Sequence, residues 1–415
     1  VGRAPGDIPP SRTAAELFRQ DIREWIRTHA PAGLTGPPPR PAEAAVAEAA
    51  MEEAAAEAAA VWERSLLDAR LICADWQPEY GGSGLSPQES LVFEEECARA
   101  GAPRIRRGAG ERIVGPTILA HGTEEQKSRL LPGIVSGEHT YCLAYSEPEH
   151  GSDLASVGTR GTVTGDEIVI TGRKAWVDGA ERADRALVLC RTGGPDASGH
   201  RGLSCVVVPL DSGNGVVRRV VRQADGTADC RELSFDRSRA PLRDVVGEVN
   251  GGWRAVMTGL AHERAGRAAG RHLGFEAEFW DLVREADKTG RSRDPVIRDR
   301  LAWAYTRITL LRLLERRAAA RTGAGAVPGA DAAVTHLLSA EYHRRFGEIA
   351  LDIMGAPALV RPDGDGYATD RWQEALLTGR AGTIRSGTAE ILRDVIAERL
   401  LGLPKEPRAA RRRPS

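Results

Sequence analysis

Thr162-Val163-Thr164-Gly165-Asp166-Glu167-Ile168-Val169-Ile170 decides the fold, because it interrupts a chain that otherwise reads as helices. β-branched residues flank a Gly-Asp pair, and this spacing predicts two antiparallel strands joined by a tight turn. Outward from it, Ala186 to Cys190, Leu203 to Pro209, Gly215 to Val221 and Arg231 to Phe235 read as further short strands. Residues 140–245 are therefore expected to form a β unit. Upstream, Ala14 to Thr28 carries Leu17, Phe18, Ile22, Trp25 and Ile26 at helical spacing, before the breaker Gly36-Pro37-Pro38-Pro39. Ala42 to Ala60 is Ala-rich but holds Glu43, Glu48, Glu52, Glu53 and Glu57, a solvated helix. Residues 1–139 are expected to be helical. After Gly251-Gly252 the helical period returns and holds over 246–404, broken at Gly290 to Pro295 and Gly323 to Gly329. Residues 405–415, with the basic run Arg408 to Arg413, read as a flexible, solvated tail.

The chain has 415 residues, and at about 150 residues per domain this predicts two or three units. Its hydrophobic fraction of 41% with 28% charged residues is that of a globular protein, which excludes a disordered chain. Lys and Arg number 57 against 58 Asp and Glu, so a nucleic-acid-binding role, which needs a basic excess or stripe, is not expected. The six cysteines show no CxxC pair or regular spacing, which supports neither a disulfide framework nor a zinc site. No apolar run is long enough to span a membrane and no export signal is visible, so a cytoplasmic location is expected.

Four segments carry possible chemistry. Ala144-Tyr145-Ser146-Glu147-Pro148-Glu149-His150-Gly151-Ser152-Asp153 ends an apolar strand with hydroxyls and turn residues, and by spacing alone is a capped tight turn. Gly172-Arg173-Lys174-Ala175-Trp176-Val177-Asp178-Gly179 follows the hairpin, and a Trp there ordinarily packs in the core. In the helix from Trp253, Val256 and Leu260 share a face with Glu263, so a carboxylate interrupts an apolar stripe. It is either one half of an ion pair with Arg264 or Arg267, or a general base raised by desolvation. Finally, Thr383-Ile384-Arg385-Ser386-Gly387-Thr388-Ala389-Glu390-Ile391 runs into a helix, where Gly-Thr suits either a plain N-cap or a phosphate.

Together these segments resemble the acyl-CoA dehydrogenase family of flavoproteins over nearly the whole chain. The resemblance rests on S-E-P-x-x-G-S-D at 146–153, G-x-K-x-W at 172–176, and G-T-x-E-I at 387–391 followed by A-E-R-L-L-G-L-P at 397–404. It implies an α+β fold with an N-terminal α-helical domain, a middle β-barrel or sandwich domain and a C-terminal four-helix bundle. It also implies FAD and introduction of a 2,3 double bond into an acyl thioester carried by CoA or acyl carrier protein. A carboxylate takes the α-proton while the β-hydrogen leaves as hydride to the flavin. An electron-transfer flavoprotein as acceptor and a homodimer or homotetramer follow from the same likeness.

By position, the resemblance places Tyr145 and Ser146 along the isoalloxazine, Gly151 and Ser152 at the flavin, with Ser152 also at the pantetheine, and Trp176 on the flavin face. Gly387 and Thr388 match the dinucleotide-binding helix entry, and Glu390 replaces a polar residue there. Gly290 to Leu301 resembles a bacterial branch of the family in which Arg291 or Arg293 stands in for an arginine that reaches the neighbouring subunit's FAD.

Two departures shape the expected chemistry. The commonest branch has its base immediately before Gly-Thr, and here that residue is Ser386. A second branch places it in L-x-x-E-R, which is Leu260 to Arg264, so Glu263 is expected to be the base. Ser386 is then a space-filler that offers its backbone N–H to the thioester carbonyl, with Arg264 on the substrate side. Asp178 stands where the family has Thr or Ser near the flavin, and Glu149-His150 replaces a small pair. Two other readings stay open: a flavin-dependent oxidase or monooxygenase on the same fold, and a catalytically silent subunit of a hetero-oligomer.

Overall fold

Gly165, at φ +62°, turns the hairpin between strands β2, Arg160–Thr164, and β3, Glu167–Asp178. The computed structural model describes residues 14–31, 48–194, 197, 199–268, 270–321, 330–360, 362 and 369–405. The breaker at Gly36 to Pro39, the start of the Ala-rich run, the Gly323 to Gly329 loop and the tail Arg408 to Arg413 lie outside the described residues. The chain divides into two compact units, Val1–Arg106 with Ala319–Ala326 and Arg107–Ala318 with Val327–Ser415.

The first unit holds α1, Ala14–His29, α2, Glu48–Asp68, and α3, Pro87–Ala100. Ile22 and Ile26, four apart, give α1 its buried stripe. Ser86 and Glu89 form a reciprocal capping box at the start of α3, with Pro87 inside the first turn. The packing of α1 on α3 is fixed by charge as well as apolar area. Buried Glu96 accepts from Arg19 at 2.7 Å and Arg23 at 2.8 Å, and also from Arg99. Burial alone would raise this carboxyl, yet its arginines outweigh burial and hold it at about 2 against an ordinary 4.5. Because the folded value is depressed, the stabilisation is present above pH 4.5 and is lost as the pH falls toward about 2. Glu96→Gln is therefore expected to destabilise this unit by about 1–3 kcal/mol at neutral pH. In thermal melts, the gap to wild type should shrink as the pH falls through that window.

The second unit is built on a seven-stranded mixed sheet. Its other strands are β1, Tyr141–Ala144, β4, Arg185–Arg191, β5, Leu203–Pro209, β6, Val216–Val221, and β7, Cys230–Pro241. β5 runs antiparallel along β4, while β1 and the end of β2 pair with β4 in parallel. The sheet then continues through β3 and β7 to the edge strand β6. β4 and β5 are apolar and buried almost throughout, as strands covered on both faces must be. Every strand predicted from sequence is present.

Helices α4, Gly115–His121, and α5, Glu124–Ser136, precede the sheet in this unit, and α6, Gly252–Ala268, follows it. α4 and α6 approach closely at Gly259, where a Cβ would stand 2.7 Å from the Thr117 Oγ1. Next come α7, Arg271–Lys288, α8, Pro295–Arg321, α9, Asp331–Met354, α10, Arg371–Gly382, and α11, Ala389–Val395. Phe275, Phe279 and Leu282 of α7, Leu301 and Ile308 of α8, Tyr342, Phe346 and Ile353 of α9, and Trp372 of α10 share one core. Four helices thus form the expected bundle. Among the described residues no helix is long and apolar enough to cross a membrane.

Candidate active site

The strand that ends at Ala144 delivers two residues of opposite disposition. Tyr145 is buried, its hydroxyl 3.7 Å from the Cys205 Sγ, and burial, then Cys205 and the Glu263 charge, pushes its ionisation well above the ordinary range. Tyr145 therefore backs the site from inside the protein. Ser146 is half-buried, and its carbonyl accepts from the Ala175 N–H at 2.9 Å, joining this segment to β3. Glu147 and His150 then exchange backbone bonds of 2.9 and 3.1 Å, and the tight turn leaves Gly151 and Ser152 exposed.

Glu147 and Lys174 explain why these two motifs belong together. Lys174 is fully buried and donates to the Tyr145 carbonyl and to Glu147 Oε1, both at 2.9 Å. Glu147 also accepts the N–H groups of Gly158 at 2.7 Å and Thr159 at 2.8 Å. Burial would raise the Glu147 carboxyl, but Lys174 and these donors overcome it and hold it at about 2. Burial lowers Lys174 as well, since a fully enclosed ammonium loses more hydration than one carboxylate returns. Gly172 is needed beside this pair, because at φ +153° a Cβ would lie 2.6 Å from the Thr159 Oγ1. The sequence reading gave neither Glu147 nor Lys174 a role. The signal was available, since Lys174 falls in phase with inward-facing Ile168 and Ile170.

The register slips between Lys174 and Val177. That bulge puts Trp176 at φ +57° and leaves it 63% exposed, so the core position ordinarily expected of a strand Trp is overturned. Asp178 is exposed at the end of β3, paired in register with Cys230. Arg191 was also missed. Its guanidinium donates to the carbonyls of Ala155 at 2.7 Å, Val157 at 3.2 Å, Ala197 at 3.1 Å, and Gly199 and Arg201 at 3.3 Å. It thereby fastens the stretch just beyond Ser152 to the β4–β5 loop, and no sequence pattern announces such a contact.

On the helical side, Glu263 is 7% exposed in α6, and its Oε1 accepts from the Ser386 hydroxyl at 2.6 Å. Arg264 donates through Nε to the Ser386 carbonyl at 3.3 Å, and burial lowers its ionisation while Glu263 opposes that. The Ser386 side chain, expected to do no more than fill space while the backbone N–H serves the thioester, is thus given a further part: it donates a hydrogen bond to the carboxylate. Ser386 lies at φ +61° and Gly387 at φ +108°, so the chain turns sharply before Thr388. Thr388 caps α11, accepting from the Ile391 N–H at 3.3 Å, and Glu390 is exposed. Its carboxyl is lowered by its own backbone N–H and by the Thr388 side chain.

The two sides meet. Arg385 donates to Gln223 in the β6–β7 loop, and its charge acts on the Cys230 thiol that neighbours Asp178. From the other direction, Glu263 acts on Tyr145. Trp303, Arg307, Arg345 and Arg393, with Thr388 and Glu390, line an adjoining cleft of about 570 Å³. An outward-facing indole and an arginine-lined cleft suit a cofactor with a planar ring and phosphates. Of the two arginines singled out in the 290–301 segment, Arg291 is engaged with the Asp352 carbonyl at 3.0 Å, whereas Arg293, which is exposed, has no side-chain partner among the described residues. Among the described residues no cluster could hold a metal ion.

The family descriptions for the acyl-CoA dehydrogenase N-terminal, middle and C-terminal domains match residues 39–138, 142–238 and 250–401. Acyl-CoA dehydrogenase IpdE1 of Mycobacterium tuberculosis is 40% identical over 399 residues, covering 94% of this chain and 98% of that protein. The solved Tcur3481-Tcur3483 steroid ACAD is 31% identical with a TM-score of 0.75, over 95% of this chain and 99% of that one. The ChsE4-ChsE5 complex from Mycobacterium tuberculosis is 26% identical with a TM-score of 0.72, over 96% and 100%. With its three domains matched in order, the chain belongs to the acyl-CoA dehydrogenase family and is an oxidoreductase whose cofactor is FAD.

Proposed function

We propose that this chain converts an acyl thioester into its 2-enoyl thioester, with Glu263 as the base. The buried carboxylate of Glu263, held by Ser386 and reached by the charge of Arg264, is the observation that carries this reading. FAD, when bound, accepts the β-hydrogen as hydride. Glu263 takes the α-proton, and the pair of electrons left on the α-carbon closes the double bond as the hydride departs. The N–H groups of Ser386 and Gly387 bond to no described residue, and the Ser386 N–H is assigned to the thioester carbonyl, where it would stabilise developing negative charge. Trp176, Ser146, Asp178, Gly387, Thr388 and Glu390 are assigned to the cofactor, with Tyr145 behind them. Gly151 contributes to the cofactor turn, and exposed Ser152 to both cofactor and thioester carrier.

The test is anaerobic loss of the flavin's visible absorbance on mixing with a panel of acyl thioesters. Because a 31%-identical solved relative is named as a steroid enzyme, thioesters with bulky polycyclic acyl groups join straight-chain ones in that panel. Bleaching by any of them supports the reading, and a protein that holds FAD yet bleaches with none refutes it for that panel. Comparing turnover with oxygen and with an electron-transfer flavoprotein separates oxidase from dehydrogenase.

A second reading draws on the two-chain composition named for two solved relatives. In it, this chain completes its FAD site only with a different subunit, which exposed Arg293 would reach across the contact. Purified alone it would then be colourless and take up no FAD, and co-expression with its partner would restore the colour. A yellow homo-oligomer would refute this second reading.

A further inference from the structure

We propose that the Ser386 hydroxyl is a positioning group for Glu263, fixing its carboxylate as an anion until the α-proton arrives. This rests on the reading of Glu263 as the base. A carboxylate removed from water needs donors, and an O–H···O⁻ bond of 2.6 Å is of the short, charge-assisted kind. The backbone supports the same conclusion. Ser386 occupies the left-handed region at φ +61°, which disfavours any residue with a Cβ by about 1 kcal/mol or more. Glycine would sit there without strain, so the hydroxyl brings what glycine lacks. Arg264 donates to the Ser386 carbonyl at 3.3 Å, so Ser386 is tied to two adjacent residues of α6, its hydroxyl to Glu263 and its carbonyl to Arg264. A hydroxyl also suits both halves of the reaction. It donates to the carboxylate before transfer and can accept from the carboxylic acid afterwards.

The titratable and charged groups around Glu263 come from several elements. Among the described residues they include His262 and Arg264 on α6, Tyr145 after β1, and Arg112 packed against Gly266. His336 of α9 reaches the Arg385 carbonyl, and Arg399 acts on Arg264. All of these stay in place when Ser386 alone is changed, so a shift in pH dependence reports on the hydroxyl.

The experiment compares Ser386→Ala, Ser386→Gly and Ser386→Asn in the FAD-loaded enzyme, with melting of the FAD-free protein as a second readout. In the alanine and glycine variants the acid limb of kcat/KM should move up by about one pH unit, the loss of one charge-assisted hydrogen bond. Activity below the limb then falls about tenfold and recovers at higher pH. Ser386→Gly should melt closer to wild type than Ser386→Ala, because both lose the hydrogen bond to Glu263 but only glycine relieves the left-handed backbone strain. Asparagine tolerates this backbone region and carries an N–H donor, so it should return the limb part of the way. An unmoved acid limb in both the alanine and glycine variants overturns the inference, as does an equal loss at every pH accompanied by a lower melting temperature. Glu263→Gln separates the two levels. Normal bleaching in that variant removes the base assignment and this inference with it, whereas a dead Glu263→Gln beside unmoved Ser386 variants removes only the inference.

Discussion

Glu263→Gln is expected to lower the rate of flavin bleaching by about 10³-fold while thioester binding changes little. Glutamine keeps the size of the side chain and a carbonyl oxygen that can still accept from Ser386, so the fold around 7%-exposed Glu263 should survive. What it lacks is a group able to take a proton. Loss of bleaching with an unchanged binding isotherm would assign the proton transfer, because ground-state contacts and chemistry separate cleanly in such a pair of measurements. A parallel loss of binding would point instead to a structural ion pair. Wild-type bleaching rates in the variant would place the base elsewhere.

Lys174→Met should destabilise the second unit by about 3–5 kcal/mol. Methionine matches the stem of lysine but withdraws the ammonium from both the Tyr145 carbonyl and Glu147. The Glu147 carboxylate would remain buried with only the two N–H groups of Gly158 and Thr159. Glu147→Gln in the same chain removes that stranded charge and should restore part of the loss, a coupling that a double-mutant cycle measures. The site should suffer alongside the fold, since Lys174 opens the bulge that presents Trp176. The variant is expected to purify with markedly less FAD. Full retention of FAD with wild-type melting would refute both expectations.

How much of this was readable depended on whether the determinant was local. The hairpin was legible because Gly165-Asp166 and the β-branched residues around it specify turn and register within a few residues. Glu263 was legible as an acid out of place on an apolar helical face. Trp176 was misread in its plain reading because strand alternation carries no record of a bulge, and one slipped register reverses the side on which a ring emerges. The Ser386 contact was hidden for a different reason. It joins residues 123 positions apart through a left-handed turn, and a serine in a Gly-Thr approach gives no sign of the backbone it adopts. Arg191 is the extreme case, because its acceptors are main-chain carbonyls, which every residue possesses.

The cysteines have a consequence for handling the enzyme. All six are buried, Cys73 and Cys97 in the first unit and Cys142, Cys190, Cys205 and Cys230 in the second. Burial pushes Cys97, Cys142, Cys190 and Cys205 up to about 12, so almost no thiolate exists at neutral pH. The native protein should therefore ignore alkylating dyes and survive the peroxide that a leaking flavin makes. Under rising denaturant those same silent thiols become a clock with two unequal hands. A chromogenic thiol reagent that reports two equivalents before the remaining four would show the N-terminal unit opening first, and the reverse order would show the second unit to be the weaker.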